Sequence, residues 1–332
     1  MTLASRLADR FGRVHTNLRI SVTDRCNIRC FYCMPHENVQ FKPRHELLSF
    51  EEIERFVRVT ARLGVRKLRL TGGEPLVRTA LVKLVANLAA VPGIDEVAMT
   101  TNGILLAQHA EALKQAGLQR LNISLDAMSE DTFERIARRR GLDQVLAGIA
   151  EAQRQGFRSI RLNAVAIRGM TEDEIIPLAR FARRHQLELR FIEFMPLDAE
   201  QHWQDDQVLR GDEIRARLES EFGPLIPAAR PDPSQPAVDY TFADGGVVGF
   251  INPVSEPFCH DCNRLRITAE GQVRNCLFST VEWDARAVMR GGGSDEDLAA
   301  LVRACVDAKK PGHGIDEPGF LRPARAMFQI GG

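Results

Sequence analysis

The chain has 332 residues, 44% hydrophobic and 27% charged, and its 44 basic and 44 acidic residues leave no net charge at pH 7. This composition is typical of one large or two modest globular domains, excludes wholesale disorder and argues against nonspecific binding of nucleic acid. The sequence shows neither a membrane-length apolar run nor a secretory signal, so we expect a cytoplasmic protein.

Short strands alternate with amphipathic helices up to about residue 196. The pattern predicts six strands, at residues 18–23, 67–72, 96–101, 120–126, 159–167 and 188–195. It predicts six helices between and after them, at residues 50–63, 78–90, 105–116, 130–138, 143–155 and 173–185. Ser49 and Glu52 predict a capping box, and Gly64, Gly117 and Gly156 predict C-terminal caps.

Six β-α units in succession predict an α/β fold with parallel strands and right-handed crossovers, either closed as a barrel or open. Ligands of such sheets bind at the carboxyl ends of the strands. The composition changes after residue 197, and the five prolines of residues 224–239 predict a linker or surface loop. A short apolar run follows at residues 246–251, and residues 281–308 are predicted to be helical with a glycine break.

Six of the seven cysteines form two triplets, which in a reduced compartment indicates metal or redox sites. Cys26, Cys30 and Cys33 form a CxxxCxxC motif, with Tyr32 just before the last cysteine. A zinc site would need a fourth ligand, for which His36 is a candidate. A [4Fe–4S] cluster with one open iron fits three thiolates.

The second triplet is Cys259, Cys262 and Cys276, a CxxC pair followed at some distance by a third cysteine. The same two alternatives apply: a zinc ion with His260 as the fourth ligand, or a second cluster with an open iron. Cys305 lies in a helical pattern and is predicted to be a core residue.

Charged residues within the predicted strands are the third signal. Arg19, Arg69 and Arg161 lie in strands, and Arg264 and Arg266 alternate on one face after Cys262. Arginine binds phosphate through paired hydrogen bonds, but such residues also occur on solvated sheet edges. Gly72-Gly73-Glu74-Pro75 follows the second strand, where Glu74 is a candidate acceptor for an ammonium group. The arginines between Arg135 and Arg140 indicate a surface feature or a docking patch.

The first triplet and the GGEP sequence resemble the radical S-adenosylmethionine (SAM) superfamily. Nearly the whole chain is similar to the family of molybdenum cofactor biosynthesis protein A, the GTP 3′,8-cyclases. The similar stretches are residues 18–35, 68–78, 100–103, 121–127, 190–196 and 259–268 and the terminal Gly-Gly. The resemblance implies that residues 1–200 form a partial (β/α)6 barrel preceded by an N-terminal extension. It also implies a C-terminal region, residues 201–332, with an auxiliary Fe–S cluster, a substrate site and a diglycine tail.

The resemblance also implies the activity and its cofactors, two [4Fe–4S] clusters and SAM. In this family SAM is cleaved reductively to a 5′-deoxyadenosyl radical, which abstracts the ribose C3′ hydrogen of GTP. The C3′–C8 bond then forms, in the first step of molybdenum cofactor (molybdopterin) biosynthesis. The implied partners are GTP, an electron donor such as a flavodoxin or ferredoxin, and the downstream cyclic pyranopterin monophosphate synthase. We expect no membrane or nucleic-acid partner, and a monomer or homodimer.

The family motifs carry over residue by residue. The implied ligands of the two clusters are Cys26, Cys30 and Cys33, catalytic through the SAM-cleaving cluster, and Cys259, Cys262 and Cys276. The implied SAM contacts are Tyr32, Gly73, Ser124 and Met195. The implied GTP contacts are Arg19, Arg69, Thr100, Arg161, Arg264, Leu265 and Arg266. Arg161 stands where the family usually has lysine, and Gly331-Gly332 is expected to reach toward the active site.

Two other functions stay open at this level. A related radical SAM protein that modifies a peptide would share the first triplet, although the peptide-modifying enzymes use more cysteines than this chain has. A zinc-stapled α/β binding module would share the cysteines without the chemistry. A GTPase finds no support, because the sequence has no GxxxxGK[ST] loop.

Overall fold

The computed structural model describes residues 6–34, 38–157, 159–197 and 203–331. Within these ranges no helix has both the length and the apolar character that a membrane span requires. The buried apolar side chains form one large core between the sheet and its helices, and Cys305 belongs to it as predicted.

The first six strands pair in chain order, and every pair is parallel. They are β1 (Asn17–Ser21), β2 (Lys67–Thr71), β3 (Glu96–Thr101), β4 (Arg120–Ser124), β5 (Ser159–Ala166) and β6 (Glu188–Glu193). The helices that connect and follow them are α1 (Phe50–Arg62), α2 (Leu81–Ala89), α3 (Leu106–Gln115), α4 (Glu130–Ala137), α5 (Leu142–Arg154) and α6 (Ile175–Arg184). The predicted alternation and the α/β class are confirmed, with ends that differ by a few residues. The sheet surrounds a cavity lined from β1 to β6, as in a partial barrel.

Local signals in the sequence explain where helix α1 begins and ends. The Ser49 hydroxyl accepts from the Glu52 amide, and the Glu52 carboxylate accepts from the Ser49 amide, which confirms the predicted capping box. Gly64 follows the helix at a φ of 108°, a conformation that glycine adopts without strain. Burial of Ile53 and Phe56 on the sheet side stabilises the helix by roughly 1.5–3 kcal/mol for each side chain.

The C-terminal region extends the same sheet at both ends. Its elements are α7 (Gly211–Phe222), β7 (Ile226–Pro227), β8 (Val238–Thr241), β9 (Val247–Ile251), β10 (Arg264–Ile267), β11 (Gln272–Arg274), β12 (Trp283–Asp284), α8 (Ala285–Arg290), α9 (Asp295–Asp307) and α10 (Met327–Ile330). Strand β9 pairs in parallel with β6, and β10 pairs in parallel with β1. Strands from both sides of residue 200 therefore share one sheet.

The proline-rich segment 224–239 differs from the predicted linker or surface loop. It contains β7 and the start of β8, which pair antiparallel at one end of the sheet, and its Pro236 lines the central cavity. An edge strand tolerates proline, because one of its sides needs no backbone donor. The segment is thus part of the sheet and of the cavity wall.

Candidate active site inside the curled sheet

Both cysteine triplets line one cavity of about 290 Å³ inside the curled sheet. Most of the predicted site residues meet there: Arg19, Cys26, Cys30, Tyr32, Cys33, Arg69, Gly73, Thr100, Ser124, Met195, Cys259, Cys262, Arg264, Arg266 and Cys276. The remaining two, Arg161 and Leu265, lie outside its lining. The first triplet follows the carboxyl end of β1, whereas Cys259 and Cys262 precede β10, which pairs with β1 in parallel. The two triplets therefore line the cavity from opposite ends of these strands.

The loop of the first triplet follows β1 and is fixed by its neighbours. The amide of Arg29 donates to the carbonyl of Ala137 at 2.8 Å, at the end of α4. The amide of Gly73 donates to the carbonyl of Thr23 at 2.9 Å. A Cβ atom at Gly73 would lie 2.3 Å from the carbonyl oxygen of Arg25, so glycine is required for the backbone itself to approach the triplet loop.

The carboxylate of Glu74 already has hydrogen-bond donors around it. Its carboxylate accepts hydrogen bonds from the Thr101 hydroxyl at 2.7 Å and from the amides of Asn102, at 2.7 Å, and Leu76, at 3.0 Å. The residue is 1% exposed and does not line the cavity, so an ammonium group would have to share the carboxylate with these three donors, and that contact stays a prediction. The buried carboxylate satisfies the backbone at the end of β3 and positions Asn102 beside Cys26.

A hydrogen-bonded pair of acidic side chains lines the cavity beside the first triplet. The Tyr32 hydroxyl donates to Asp126 at 2.7 Å, and the second oxygen of Asp126 accepts from the Val165 amide at 2.8 Å. Burial raises the pKa of Asp126 to about 6 and that of Cys26 to about 11. Asp126 is not among the predicted SAM contacts. Its signal in the sequence is its position just after β4.

The second triplet has cationic neighbours. Lys309 Nζ lies 3.4 Å from the sulfur of Cys262, and two guanidinium nitrogens of Arg264 lie 3.3 and 3.4 Å from it. Burial opposes ionisation, but the charges of Arg264 and Lys309 outweigh it and lower the pKa of Cys262 to about 5. Nothing in the sequence points to Lys309, because it lies far along the chain, just after α9.

The geometry of both triplets bears on the zinc alternative. Across the described ranges, no three His, Cys, Asp or Glu side chains gather closely enough to hold a single metal ion. His260 is exposed and pairs with Asp261 at 2.9 Å rather than turning to the thiols. His36 lies outside the described residues. The choice between zinc and a [4Fe–4S] cluster at each triplet is therefore still a prediction at this point.

Three arginines stand side by side on neighbouring strands. Arg19 on β1 is in register with Arg69 on β2 and with Arg266 on β10, and adjacent strands lie about 4.8 Å apart. Burial and then the neighbouring arginines lower the pKa of Arg19 and Arg69 well below the usual range, and that of Arg266 to about 9. Like charges held this close favour an anionic ligand that neutralises them.

Unsatisfied polar atoms on the cavity wall also indicate that the cavity binds a ligand. The Thr100 hydroxyl and the side-chain amide nitrogen of Asn122 are buried without a hydrogen-bond partner among the residues that the structure covers. Such atoms cost free energy unless a ligand or water satisfies them. Arg190 also lines the cavity, 3.4 Å from Asp239. Asn122 and Arg190 are absent from the predicted contacts, although Arg190 carries the same signal as Arg19, an arginine within a parallel strand.

Two predicted GTP contacts lie away from the cavity lining. Arg161 on β5 pairs with Glu188, with 2.5 Å between Nε and the carboxylate oxygen. Leu265 is fully buried, because successive strand residues face opposite sides and its neighbours Arg264 and Arg266 face the cavity. Their roles stay predictions.

The C-terminal tail ends against the arginine row. Arg266 donates to the carbonyl of Gly331, and the Ser21 hydroxyl donates to the carbonyl of Ile330 at 3.1 Å. Gly331 has a φ of 85°, and a Cβ atom there would lie 2.3 Å from the Ser21 hydroxyl oxygen. The position therefore accepts only glycine. Gly332 lies outside the described residues.

Two family models match the chain. The model of the Radical SAM superfamily matches residues 20–182, which hold the first triplet and strands β2 to β5. The model of Molybdenum Cofactor Synthesis C matches residues 187–315, which hold the second triplet.

Two solved structures show the same fold. Streptococcus suis SuiB bound to S-adenosylmethionine has a TM-score of 0.61 and 14% identity, over 88% of this chain and 69% of that one. Methylornithine synthase (PylB) has a TM-score of 0.54 and 18% identity, over 87% of this chain and 86% of that one. At these identities the likeness concerns the fold alone.

Curated relatives share far more of the sequence. The GTP 3′,8-cyclase of Rhodopirellula baltica is 52% identical over 100% of this chain and 94% of its own length. The GTP 3′,8-cyclase of Mycolicibacterium smegmatis is 46% identical over 98% of this chain and 92% of its own. That of Pelotomaculum thermopropionicum is 44% identical over 98% of this chain and 100% of its own. The chain therefore belongs to the GTP 3′,8-cyclase family, within the radical SAM superfamily.

Proposed function

We propose that this chain is a radical SAM GTP 3′,8-cyclase that carries out the first step of molybdenum cofactor biosynthesis. The observation that carries the proposal is a single cavity lined by both cysteine triplets and by an in-register row of three arginines. That combination suits a site that takes two ligands, a sulfonium cofactor and a nucleoside triphosphate.

The SAM end of the cavity holds the cation. Cys26, Cys30 and Cys33 bind the first [4Fe–4S] cluster, while Tyr32, Gly73, Ser124 and Met195 contact SAM. With these groups bound, the chemistry is reductive cleavage of SAM to a 5′-deoxyadenosyl radical, which removes the C3′ hydrogen of GTP before C3′–C8 bond formation. The carboxylate of Asp126, oriented by Tyr32, stabilises the positive charge of the cofactor at this end.

The GTP end holds the anion. Arg19, Arg69 and Arg266 bind the triphosphate through charge-assisted hydrogen bonds, and Arg190 extends the same wall. The orphaned groups of Thr100 and Asn122 are satisfied by the nucleotide.

Cys259, Cys262 and Cys276 would hold a second [4Fe–4S] cluster, which would supply an open iron as a binding position for the guanine of GTP. Arg264 and Lys309 hold Cys262 in its thiolate form, which is the form that binds metal. Arg161 would have to exchange Glu188 for phosphate in order to act as its usual lysine counterpart does.

The partners follow from the chemistry. Cleavage of SAM consumes one electron, so the protein depends on an external donor such as a flavodoxin or ferredoxin. The product passes to the cyclic pyranopterin monophosphate synthase. We place the protein in the cytoplasm, as a monomer or homodimer, with residues 1–200 as the SAM-binding part and residues 201–332 as the part that completes the GTP site.

The experiment uses protein reconstituted anaerobically with iron and sulfide and then supplied with SAM and dithionite, with and without GTP. We expect GTP to stimulate 5′-deoxyadenosine formation strongly and a cyclised nucleotide to appear. With GTP deuterated at C3′, the label should enter 5′-deoxyadenosine. Formation without a GTP effect would reopen the substrate, and no formation despite full iron loading would refute the radical mechanism.

A further inference from the structure

A patch of arginines covers the outer side of the first triplet. We define the basic patch as Arg25, Arg29, Arg135, Arg138, Arg139 and Arg140. All but the half-buried Arg29 are exposed. The patch combines the segment at the end of α4 with the triplet loop, since the amide of Arg29 bonds to the last residue of that helix.

The basic patch keeps a positive charge after its acidic neighbours are counted. The carboxylates of Glu130 and Glu134 lie 3.6 and 3.7 Å from Arg140, and Asp131 is exposed on the same helix. Over the described side chains of the basic patch and of α4, six arginines against these three carboxylates give a charge of +3, on a chain whose total charge is zero. The charge is therefore concentrated on this face, where it attracts an acidic partner.

Hydrogen bonds and packing connect the basic patch to the first triplet. The amide of Phe31, next to Cys30, donates to the carbonyl of Ile136 at 3.1 Å. Cys30 also shares a small cavity with Phe133, Ile136 and Ala137, the buried face of α4. The end of one helix is thus all that separates Cys30 from the exposed arginines in this direction. The guanidinium of Arg29 donates in addition to the carbonyl of Cys26 at 2.7 Å.

We propose that the basic patch docks a one-electron carrier protein with an acidic face, which supplies the electron for SAM cleavage. The proposal rests on the proposed function. The carrier is oxidised by one electron, and SAM accepts that electron as its C5′–S bond breaks to give methionine and the 5′-deoxyadenosyl radical. Electron-transfer complexes are small, with less than about 1,200 Å² buried, so a patch of six side chains suffices. Charge complementarity in such complexes acts mainly on the association rate.

The test reverses charge on the basic patch in the reconstituted holoenzyme. In the double variant Arg138→Glu/Arg139→Glu, we expect 5′-deoxyadenosine formation driven by reduced flavodoxin to fall about tenfold at low salt. Flavodoxin binding, measured by flavin fluorescence anisotropy, should weaken by about the same factor. Formation driven by dithionite, a small reductant that needs no docking surface, should stay unchanged. The matched control is Arg217→Glu/Arg303→Glu, two exposed arginines on α7 and α9.

Three results would separate the possible failures. Equal loss with flavodoxin and dithionite, or reduced iron content, would mean that the arginines support the loop and do not dock a partner. The milder Arg138→Gln/Arg139→Gln variant repeats the test if the first variant loads poorly. Unchanged binding and turnover with flavodoxin would overturn the proposal. Wild-type protein that cleaves SAM with both reductants but makes no GTP product would refute the cyclase instead.

Discussion

The two cysteine triplets face the same cavity from opposite electrostatic surroundings. The first is packed against apolar side chains, and burial together with the nearby Glu74 raises the pKa of Cys26. In the second, Lys309 and Arg264 flank the sulfur of Cys262 and lower its pKa to about 5. The spacing of cysteines therefore does not define a cluster site by itself, because neighbouring residues give the thiols of the two triplets different pKa values.

This contrast gives the cavity a charge polarity. Asp126 lies at the end of the first triplet, while the second triplet continues into the arginine row. Under the proposed function, this polarity would direct a cationic cofactor and an anionic substrate to opposite ends of the cavity. The predictions below test this division, from the largest effect to the smallest.

Loss of a first-triplet ligand should remove all chemistry. In Cys33→Ser we expect no 5′-deoxyadenosine with or without GTP, because cluster iron is normally held by cysteine thiolate. GTP affinity, measured by equilibrium dialysis of the anaerobic protein, should stay within about threefold of wild type, since the arginine row is intact. Loss of GTP affinity together with 5′-deoxyadenosine formation would show that the SAM and GTP ends of the cavity are not independent.

Loss of a second-triplet ligand should separate the two ends more sharply. In Cys276→Ala the first cluster should keep its iron and still cleave SAM, while the cyclised nucleotide disappears. The measurement is the ratio of nucleotide product to 5′-deoxyadenosine, with Cys305→Ala as a matched control outside both triplets. Full product from Cys276→Ala would overturn the assignment of the second triplet.

The arginine row should affect GTP far more than SAM. In Arg266→Ala one charge-assisted contact is lost, and the KM for GTP should rise about 10- to 100-fold. The KM for SAM should not change. Arg161→Ala serves as the comparison, because Arg161 pairs with Glu188 away from the cavity lining and should cost only a few-fold. Equal effects on both substrates would count against the division.

The smallest effect concerns stability and pH near the second triplet. His15 is fully buried, neither ring nitrogen has a hydrogen-bond partner among the described residues, and burial and then Lys309 lower its pKa to about 3. Below about pH 6.5 the imidazole of His15 binds a proton in the unfolded chain but stays neutral in the folded chain. The free energy of unfolding should therefore fall by about 1.4 kcal/mol between pH 7.5 and 5.5.

Replacement of His15 should remove that contribution to the pH dependence. In His15→Gln the fall in unfolding free energy between pH 7.5 and 5.5 should be smaller than in wild type by about 1.4 kcal/mol. Urea denaturation of the apoprotein at several pH values measures it. A wild-type slope in His15→Gln would show that other groups control the pH dependence.

Local patterns predicted the parts of this fold that depend on local forces. Ser49, Glu52 and Gly64 marked the ends of α1 correctly, because caps act within a few residues. The sequence did not reveal that β9 and β10 would join opposite ends of the sheet, since parallel pairing between distant segments leaves no local pattern.

The site was predictable only where the chemistry resides in a motif. The cysteines and the row of Arg19, Arg69 and Arg266 followed from motif and strand position. Lys309 did not, because a lysine just after a helix looks like any solvated lysine. Nor did the sequence show that three buried donors surround the carboxylate of Glu74, because these donors come from segments whose approach depends on the fold.

The arrangement of the sheet has a consequence for biosynthesis on the ribosome. Strands β1 to β6 are synthesised first, yet β1 and β6 acquire their outer neighbours only when β10 and β9 emerge. Until then both edges are unpaired and open to pairing with other chains, so we expect nascent chains of intermediate length to need chaperones. Helix α10, whose Phe328 packs on Cys33, is synthesised after all of these strands. Until α10 has been made, the first triplet lacks this cover.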